Sequence, residues 1–215
     1  MSIFENISEP LLVHYPQLSS EEVAKRVNEV IEMVGLNPKE IYRYPHEFSG
    51  GQSQRIAIAR AIILRPKLII CDEAVSALDV SIKAQIINLL QQLKSTLNIA
   101  FLFISHDLSI VEYISDRVMV LYLGEIMELA PVSDLYNKPL HPYTKVLINA
   151  VPIPDPKIEA SKTREDMVGD IPSPFDLPKG CPFASRCKFV FDKCLKEKPE
   201  LRKVDNSLVA CFLVQ

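Results

Sequence analysis

Three kinds of segment are missing from this chain of 215 residues. It has no run of about 18 apolar residues, the length that a membrane-spanning helix needs. Its first residues, Met1-Ser2-Ile3-Phe4-Glu5, lack the basic and then apolar order of a secretory signal, so we expect a cytoplasmic protein. It also has no long basic block, and its net charge is -3, which excludes an extended nucleic-acid surface.

The composition is that of a globular protein, with 48% hydrophobic and 24% charged residues. This length accommodates one domain with a sizeable core plus an appendage. Four of the five cysteines, Cys181, Cys187, Cys194 and Cys211, lie near the carboxyl end. In a reducing compartment such clustering favours metal ligation over disulfide bonds.

The most informative stretch is Ser49-Gly50-Gly51-Gln52, which precedes a helical run over residues 55–64. Ser49 is suited to cap this helix, and the glycines let an anion approach the unpaired backbone N–H groups closely. The stretch therefore predicts a phosphate-binding site.

A second informative stretch follows this helix. Residues 68–71 form an apolar run typical of a buried parallel strand, and Asp72 and Glu73 come directly after it. Ligands bind at the carboxyl ends of the strands in open α/β sheets. The two carboxylates are thus candidates for the chemistry of a phosphate ligand.

A third stretch adds a histidine to these carboxylates. Asp79 is a natural N-cap for a helical pattern over Val80–Leu97, and residues 99–104 predict a second buried strand that ends just before His106. If the two strands are neighbours, His106 lies beside the two carboxylates. That placement favours a functional role for His106 over an ordinary structural one.

The remaining segments predict scaffold elements. Ser19 and Glu22 form a capping box that begins an amphipathic, core-packing helix, which Gly35 ends. Residues 116–122 and 125–129 predict a hairpin that turns at Gly124, and a last helix runs from His141 to about Ala150. From Val151 onward, repeated prolines indicate a linker or an irregular extension.

Together, Ser49-Gly50-Gly51-Gln52 and residues 68–73 resemble the signature motif and the Walker B strand of the ABC-transporter ATPase family. Ser76-Ala77-Leu78-Asp79 resembles the D-loop, and His106 resembles the switch histidine of that family. A plain capping role for Asp79 is equally compatible with its position. Ala74 departs from the family, which usually has proline after the glutamate.

The resemblance implies an α/β fold, an incomplete P-loop NTPase domain with a helical subdomain. Residues 1–50 would be the helical subdomain ending in the signature, residues 51–150 the carboxyl-terminal part of the ATPase core, and residues 151–215 an irregular extension. No Gly-Lys dipeptide occurs in the sequence, so the chain contains no G-x-x-x-x-G-K-[ST] loop. We therefore expect the part of the sheet that accompanies such a loop to be missing. The predicted strands at residues 68–71 and 99–104 would then lack neighbouring strands.

The resemblance also implies a role for each site residue. Asp72 would hold Mg²⁺, Glu73 would act as general base toward water, and His106 would contact the γ-phosphate of ATP. The signature, Ser49-Gly50-Gly51-Gln52, would bind the γ-phosphate of ATP held by a partner subunit, and Asp79 would lie at that interface.

The cysteine block narrows the resemblance. The spacing of Cys181, Cys187, Cys194 and Cys211, after Leu140-His141-Pro142-Tyr143-Thr144, resembles the extension of oligopeptide and dipeptide importer ATPases, particularly the second ATPase subunit of the oligopeptide system. In that subgroup four such cysteines can ligate a four-iron four-sulfur cluster. Thiolates suit zinc equally well, and reduced cysteines packed in a small core are the third possibility.

This family implies an ATP-hydrolysing subunit of a peptide importer on the cytoplasmic face of the membrane. Its partners would be a second ATPase subunit, two membrane-spanning permease subunits and, indirectly, a peptide-binding protein, with no nucleic acid. The absence of a G-x-x-x-x-G-K-[ST] loop favours an alternative, a non-catalytic remnant that only completes a partner's ATP site. A soluble ABC ATPase of the DNA-repair or translation type is disfavoured by the extension and by the absence of a basic surface.

Overall fold

The computed structural model describes residues 1–152, 155, 157, 159 and 178–214. The chain divides into two compact units, Met1–His106 and Asp107–Gln215. The proline-rich extension predicted after Val151 lies mostly outside the described residues. Within the described residues no helix has the length and hydropathy required to span a membrane.

The first unit has four α-helices and two strands, besides two short 3-10 helices at Pro38–Glu40 and Pro45–Glu47. These are α1 Ile3–His14, α2 Ser20–Met33, α3 Gly50–Ile62, β1 Leu68–Asp72, α4 Val80–Leu97 and β2 Ala100–Ile104. Helices α1, α2 and α3 pack on one another, and α3 also packs on α4. Their shared core is built from aliphatic side chains at helical spacing, such as Ile7, Val27 and Ile62, which are almost fully buried.

Helix α1 has no counterpart among the predicted elements. Its N-cap is Ser2, whose hydroxyl accepts a hydrogen bond from the backbone of Glu5, while the Glu5 carboxylate accepts one from the backbone N–H of Ser2. This capping box is the local signal that identifies the helix. The predicted capping box of Ser19 and Glu22 is confirmed at the start of α2.

The strands β1 and β2 pair in parallel, with Leu68 opposite Ala100 and Asp72 opposite Ile104. The prediction that both strands are buried is wrong, because Ile70 of β1 is 62% exposed and Leu102 of β2 is 45% exposed. Among the described residues this sheet has only two strands. The apolar face that carries Leu68 and Ile70 is left uncovered by any of them. Exposed apolar surface and unpaired strand edges of this kind favour aggregation.

The second unit combines an antiparallel sheet with short helices. Its elements are α5 Leu108–Ile114, β3 Arg117–Tyr122, β4 Glu125–Pro131, α6 Val132–Asn137, α7 Pro142–Ala150, α8 Asp192–Lys196, β5 Arg202–Val204 and β6 Ser207–Val209. The sheet order is β3-β4-β6-β5. The predicted hairpin is confirmed, and Gly124 at its turn has a φ of 80°. Strands β5 and β6 are absent from the predicted elements.

The cysteine segment packs on the β3–β4 hairpin. Phe183, which is 1% exposed, lies in one apolar cluster with Tyr122, Met127 and Cys181. The rings of Tyr122 and Phe183 meet edge to face with centroids 5.4 Å apart, a favoured aromatic geometry. The cysteine block is therefore part of the second unit's core, anchored by aromatic contacts.

Candidate functional sites

The predicted phosphate-binding stretch forms the amino-terminal turn of α3. Ser49 is the N-cap, and its hydroxyl accepts a hydrogen bond from the backbone N–H of Gln52, as predicted. In return, the Gln52 side chain accepts a hydrogen bond from the backbone N–H of Ser49, with the atoms 3.0 Å apart. The helix begins at Gly50, five residues before the predicted start. The positive end of the helix dipole thus lies at the motif itself.

The two glycines of this motif have different surroundings. A Cβ added at Gly50 would lie 3.7 Å from a methyl group of Leu78, which is an ordinary contact. A Cβ added at Gly51 would lie 2.5 Å from Cγ2 of Ile82 in the first turn of α4. Gly51 therefore permits the close packing of α3 on α4, in addition to the predicted approach of an anion.

The two carboxylates lie at the carboxyl end of β1. Asp72 is the last residue of the strand and is exposed. Glu73 follows with a φ of 48°, in the left-handed region that residues other than glycine seldom adopt. Its backbone N–H donates to the carbonyl oxygen of Ile104 over 3.0 Å. This bond extends the pairing of the two strands and fixes the turn that carries Glu73.

The structure brings His106 beside Glu73. Nδ1 of His106 lies 2.8 Å from Oε1 of Glu73, so the proximity predicted from neighbouring strands is present. The hydrogen bond with His106 lowers the pKa of Glu73 below its usual range. Both side chains remain accessible to solvent, as a site for a soluble ligand requires.

Asp79 caps α4 as predicted. Its carboxylate accepts a hydrogen bond from the backbone N–H of Ile82 over 3.0 Å and another from the Ser81 hydroxyl over 2.8 Å. These bonds, led by the one from Ile82, lower the pKa of Asp79. The capping role of Asp79 is thus observed, while its role at a subunit interface stays a prediction.

The four clustered cysteines line one small cavity in the second unit. All four are free thiols. The backbone N–H of Cys181 donates to the carbonyl oxygen of Cys194 over 2.8 Å, which ties the two ends of this segment together. Burial raises the pKa of Cys181 to about 11 and also raises the pKa values of Cys187 and Cys211.

Four thiols are the donor type that zinc and iron-sulfur sites use. Among the described residues, however, no three cysteine, histidine or acidic side chains are arranged to hold a metal ion. The fold therefore brings the four cysteines to one cavity, but their side chains are not arranged as a coordination shell.

Two residues near the cysteines were missed as site residues. His141, which is 1% exposed, lies in the wall of the same cavity, and burial lowers its pKa to about 4. Glu128, which is fully buried, accepts hydrogen bonds from the backbone N–H groups of Leu140 and His141, each over 2.9 Å. The signal for Glu128 is an acidic residue that stands between the apolar residues Met127 and Leu129 of β4.

Comparisons with known proteins match both units. Residues 1–76 match the ABC transporter family, and residues 127–194 match the family "Oligopeptide/dipeptide transporter, C-terminal region". The chain is 53% identical over 214 residues to the oligopeptide transport ATP-binding protein OppF of Escherichia coli (strain K12), with all of this chain and 64% of that protein covered. It is 54% identical over 215 residues to OppF of Haemophilus influenzae, with 100% and 65% covered.

A more distant relative and a solved structure agree with these matches. The putative oligopeptide transport ATP-binding protein YkfD of Bacillus subtilis (strain 168) is 47% identical, with 99% of this chain and 65% of that protein covered. The dimeric structure of the bacterial ABC transporter cassette MJ0796 is similar with a TM-score of 0.54 and 31% identity, covering 61% of this chain and 57% of that one.

The chain spans just under two thirds of the length of these curated relatives. Its mixture of helices and strands is that of the ABC ATPase fold, as the solved neighbour shows. Residues 1–76 therefore belong to the ABC transporter family, and residues 127–194 belong to the C-terminal region of oligopeptide/dipeptide transporters.

Proposed function

We propose that this chain is part of the ATP-binding, ATP-hydrolysing subunit of a peptide importer and energises transport across the membrane. The observation that carries the proposal is the presence, in one chain, of the signature and carboxylate sites and of the oligopeptide-transporter region. Relatives that are more than half identical along the whole chain are named oligopeptide transport ATP-binding proteins.

On this proposal Asp72 holds Mg²⁺ and Glu73 is the general base. The bond between Oε1 of Glu73 and Nδ1 of His106 leaves Oε2 for a water molecule and Nε2 of His106 for the γ-phosphate. The carboxylate of Glu73, whose pKa is lowered by the hydrogen bond with His106, would accept the proton of the water. Mg²⁺ and ATP supply the metal-neutralised phosphoryl group on which these residues act.

The signature turn serves a different nucleotide, one that a partner subunit holds. The dipole and N–H groups at the start of α3 would contact the γ-phosphate from the side opposite the partner's P-loop. The 215-residue chain itself contains no G-x-x-x-x-G-K-[ST] loop. We therefore propose that the chain alone neither binds ATP tightly nor hydrolyses it, and that it completes an ATP site together with a partner.

The partners that suit this role are a second ABC ATPase subunit, forming a heterodimer, two membrane-spanning permease subunits and, indirectly, a peptide-binding protein. Such an assembly places the chain on the cytoplasmic face of the membrane. Residues 1–50, 51–150 and 151–215 then serve as the helical subdomain, the carboxyl-terminal part of the ATPase core and the importer extension.

The test measures ATP binding by calorimetry and phosphate release, first with the purified chain and then with a P-loop-bearing ABC ATPase added. We expect activity that depends on the chain only in the mixture. Ser49→Ala should abolish this activity, while Ser19→Ala is the matched control, because Ser19 caps α2 with the same capping box. Micromolar binding by the chain alone, or equal loss in both variants, would contradict the composite site.

We further propose that the four clustered cysteines bind a metal centre, with a four-iron four-sulfur cluster as first choice and zinc as second. Their common cavity supports this, and the side chains would have to turn inward to coordinate. Elemental analysis after anaerobic purification and reconstitution should find iron or zinc. Cys181→Ser should remove it, whereas Cys71→Ser, in the other unit, should not. Metal-free protein after reconstitution would refute the proposal.

A further inference from the structure

We infer that the cysteine segment of the second unit binds the surface of a membrane that contains anionic lipids. The surface responsible is a group of exposed apolar side chains bordered by lysines, which we call the basic aromatic face. Its apolar members are Phe189, Val190, Phe191, Leu195 and Leu213. The inference rests on the proposed function, which puts the chain at the cytoplasmic face of the membrane, and it names the lipid contact made there.

The apolar side chains of this face lie close together. The rings of Phe191 and Phe212 meet with their centroids 6.3 Å apart, and Phe189, Phe212 and Leu213 line the same cavity. Phe191 is the N-cap of α8, and Leu195 follows it by four residues, a spacing that puts two side chains on one side of a helix. The five apolar members are between 41% and 59% exposed. A contiguous exposed group of this kind marks an interaction surface.

Positive charge is concentrated around these apolar side chains. Lys188 directly precedes Phe189, and Lys196 directly follows Leu195. Residues 178–214 contain eight lysine and arginine residues and four acidic residues, a net charge of +4, whereas the whole chain has a net charge of -3. The remainder of the chain is therefore acidic, and the basic segment is the one that exposes the aromatic side chains. A negatively charged surface is the complementary partner.

The lysines of α8 can exchange their present partners for lipid phosphates. Nζ of Lys193 lies 3.8 Å from Oε2 of Glu197, and Nζ of Lys196 lies 3.8 Å from Oδ2 of Asp192. Exposed pairs of this kind contribute little to stability, because solvent screens them. Nζ of Lys193 also lies 4.4 Å from the centroid of the Phe212 ring. An ammonium group is thus already held against the aromatic part of the face.

The mixture of lysine with phenylalanine and leucine favours a lipid surface over a protein partner. Protein interfaces are depleted in lysine, whereas segments that lie on membranes combine lysine with these apolar residues. A lysine side chain extends along its apolar neighbours and keeps the ammonium group in water, at the level of the lipid phosphates. An anionic leaflet attracts each such charge. We therefore expect Phe189 and Leu195 to enter the boundary between headgroups and acyl chains.

The first experiment uses an introduced tryptophan, because the chain contains none. Phe189→Trp is the reporter, and Tyr42→Trp, at an exposed aromatic residue of the first unit, is the matched control. Each purified chain is mixed with vesicles of phosphatidylcholine, alone or together with phosphatidylglycerol, and with the same vesicles carrying brominated acyl chains. We expect a blue shift of the fluorescence, and quenching by bromine, only for Phe189→Trp on the anionic vesicles.

The second experiment measures affinity for the anionic vesicles by co-sedimentation. Changing Lys188 and Lys196 together to glutamine should weaken binding about 25-fold, since each lysine near an anionic surface contributes a factor of roughly five. The matched control makes the same change at Lys39 and Lys67, exposed lysines of the first unit, and should leave the affinity nearly unchanged. Ile70→Ser should do likewise, which separates the basic aromatic face from the exposed apolar face of β1.

The outcomes are distinct. If Phe189→Trp stays unquenched on anionic vesicles, or if Tyr42→Trp is quenched equally, the inference is overturned. Equal binding to neutral vesicles overturns the role of the lysines. A chain that ignores vesicles, while the emission of Phe189→Trp shifts on addition of a second ATPase subunit, assigns the face to a protein partner instead. No ATP is present in these measurements, so a failure of the proposed ATPase function would appear only in the phosphate-release assay.

Discussion

Gly51→Ala should destabilise the first unit, although alanine is the better helix former. The new Cβ would lie 2.5 Å from Cγ2 of Ile82, well inside the usual carbon–carbon separation of about 3.5–4.0 Å. Overpacking of this kind costs about 1–3 kcal/mol, and the gain in helix propensity offsets at most about 1 kcal/mol of it. We expect a net loss of about 1 kcal/mol in the free energy of unfolding.

The neighbouring glycine supplies the internal control. Gly50→Ala places its Cβ 3.7 Å from Leu78, without a clash, so it should leave stability unchanged or slightly raised. The two substitutions have the same chemistry one residue apart, and they should differ in sign. Urea unfolding of the 215-residue chain, followed by circular dichroism, measures both.

A double-mutant cycle identifies the contact responsible. Ile82→Ala removes the clashing methyl group and should make Gly51→Ala nearly harmless, whereas Ile82→Val keeps a γ-methyl group and should not. If Gly51→Ala unfolds at the same urea concentration as wild type, or if Ile82→Ala fails to rescue it, the packing of α3 on α4 does not require this glycine.

Two further predictions concern ionisable groups. In a chain extended to carry a P-loop, Glu73→Gln should still bind ATP but hydrolyse it roughly 10²-fold or more slowly, because the amide cannot accept a proton; near-normal turnover would remove Glu73 from the role of base. His141 has a pKa lowered from 6.5 to about 4, so the unfolded chain binds the extra proton first and stability falls as the pH drops from about 6.5 toward 4. The full effect on the free energy of unfolding is roughly 3 kcal/mol. The urea midpoints at pH 7 and pH 4.5 should therefore differ less in His141→Asn than in wild type. An equal difference in both proteins would refute this prediction.

Sequence alone determined the features that depend on a few neighbouring residues. The caps at Ser19, Ser49 and Asp79 are confirmed, because an N-cap side chain bonds to a backbone N–H only two or three residues away. The capping box at Ser2 carries the same local signal and predicts α1 equally well. The order of strand, carboxylate, strand and histidine likewise indicated the meeting of Glu73 and His106, since parallel neighbouring strands bring their carboxyl ends together.

Only the tertiary structure decided which groups become buried. An apolar run at β1 reads as a core strand, yet Ile70 is exposed because burial requires a second layer that no local pattern reports. Glu128 and His141 read as ordinary polar residues, yet both are buried, and His141 lies in the wall of the cysteine cavity. Their positions come from contacts between segments that are distant along the chain, such as Phe183 with Tyr122. The free energy of burying a polar group depends on the residues that surround it in space. The spacing of residues along the sequence does not reveal those neighbours.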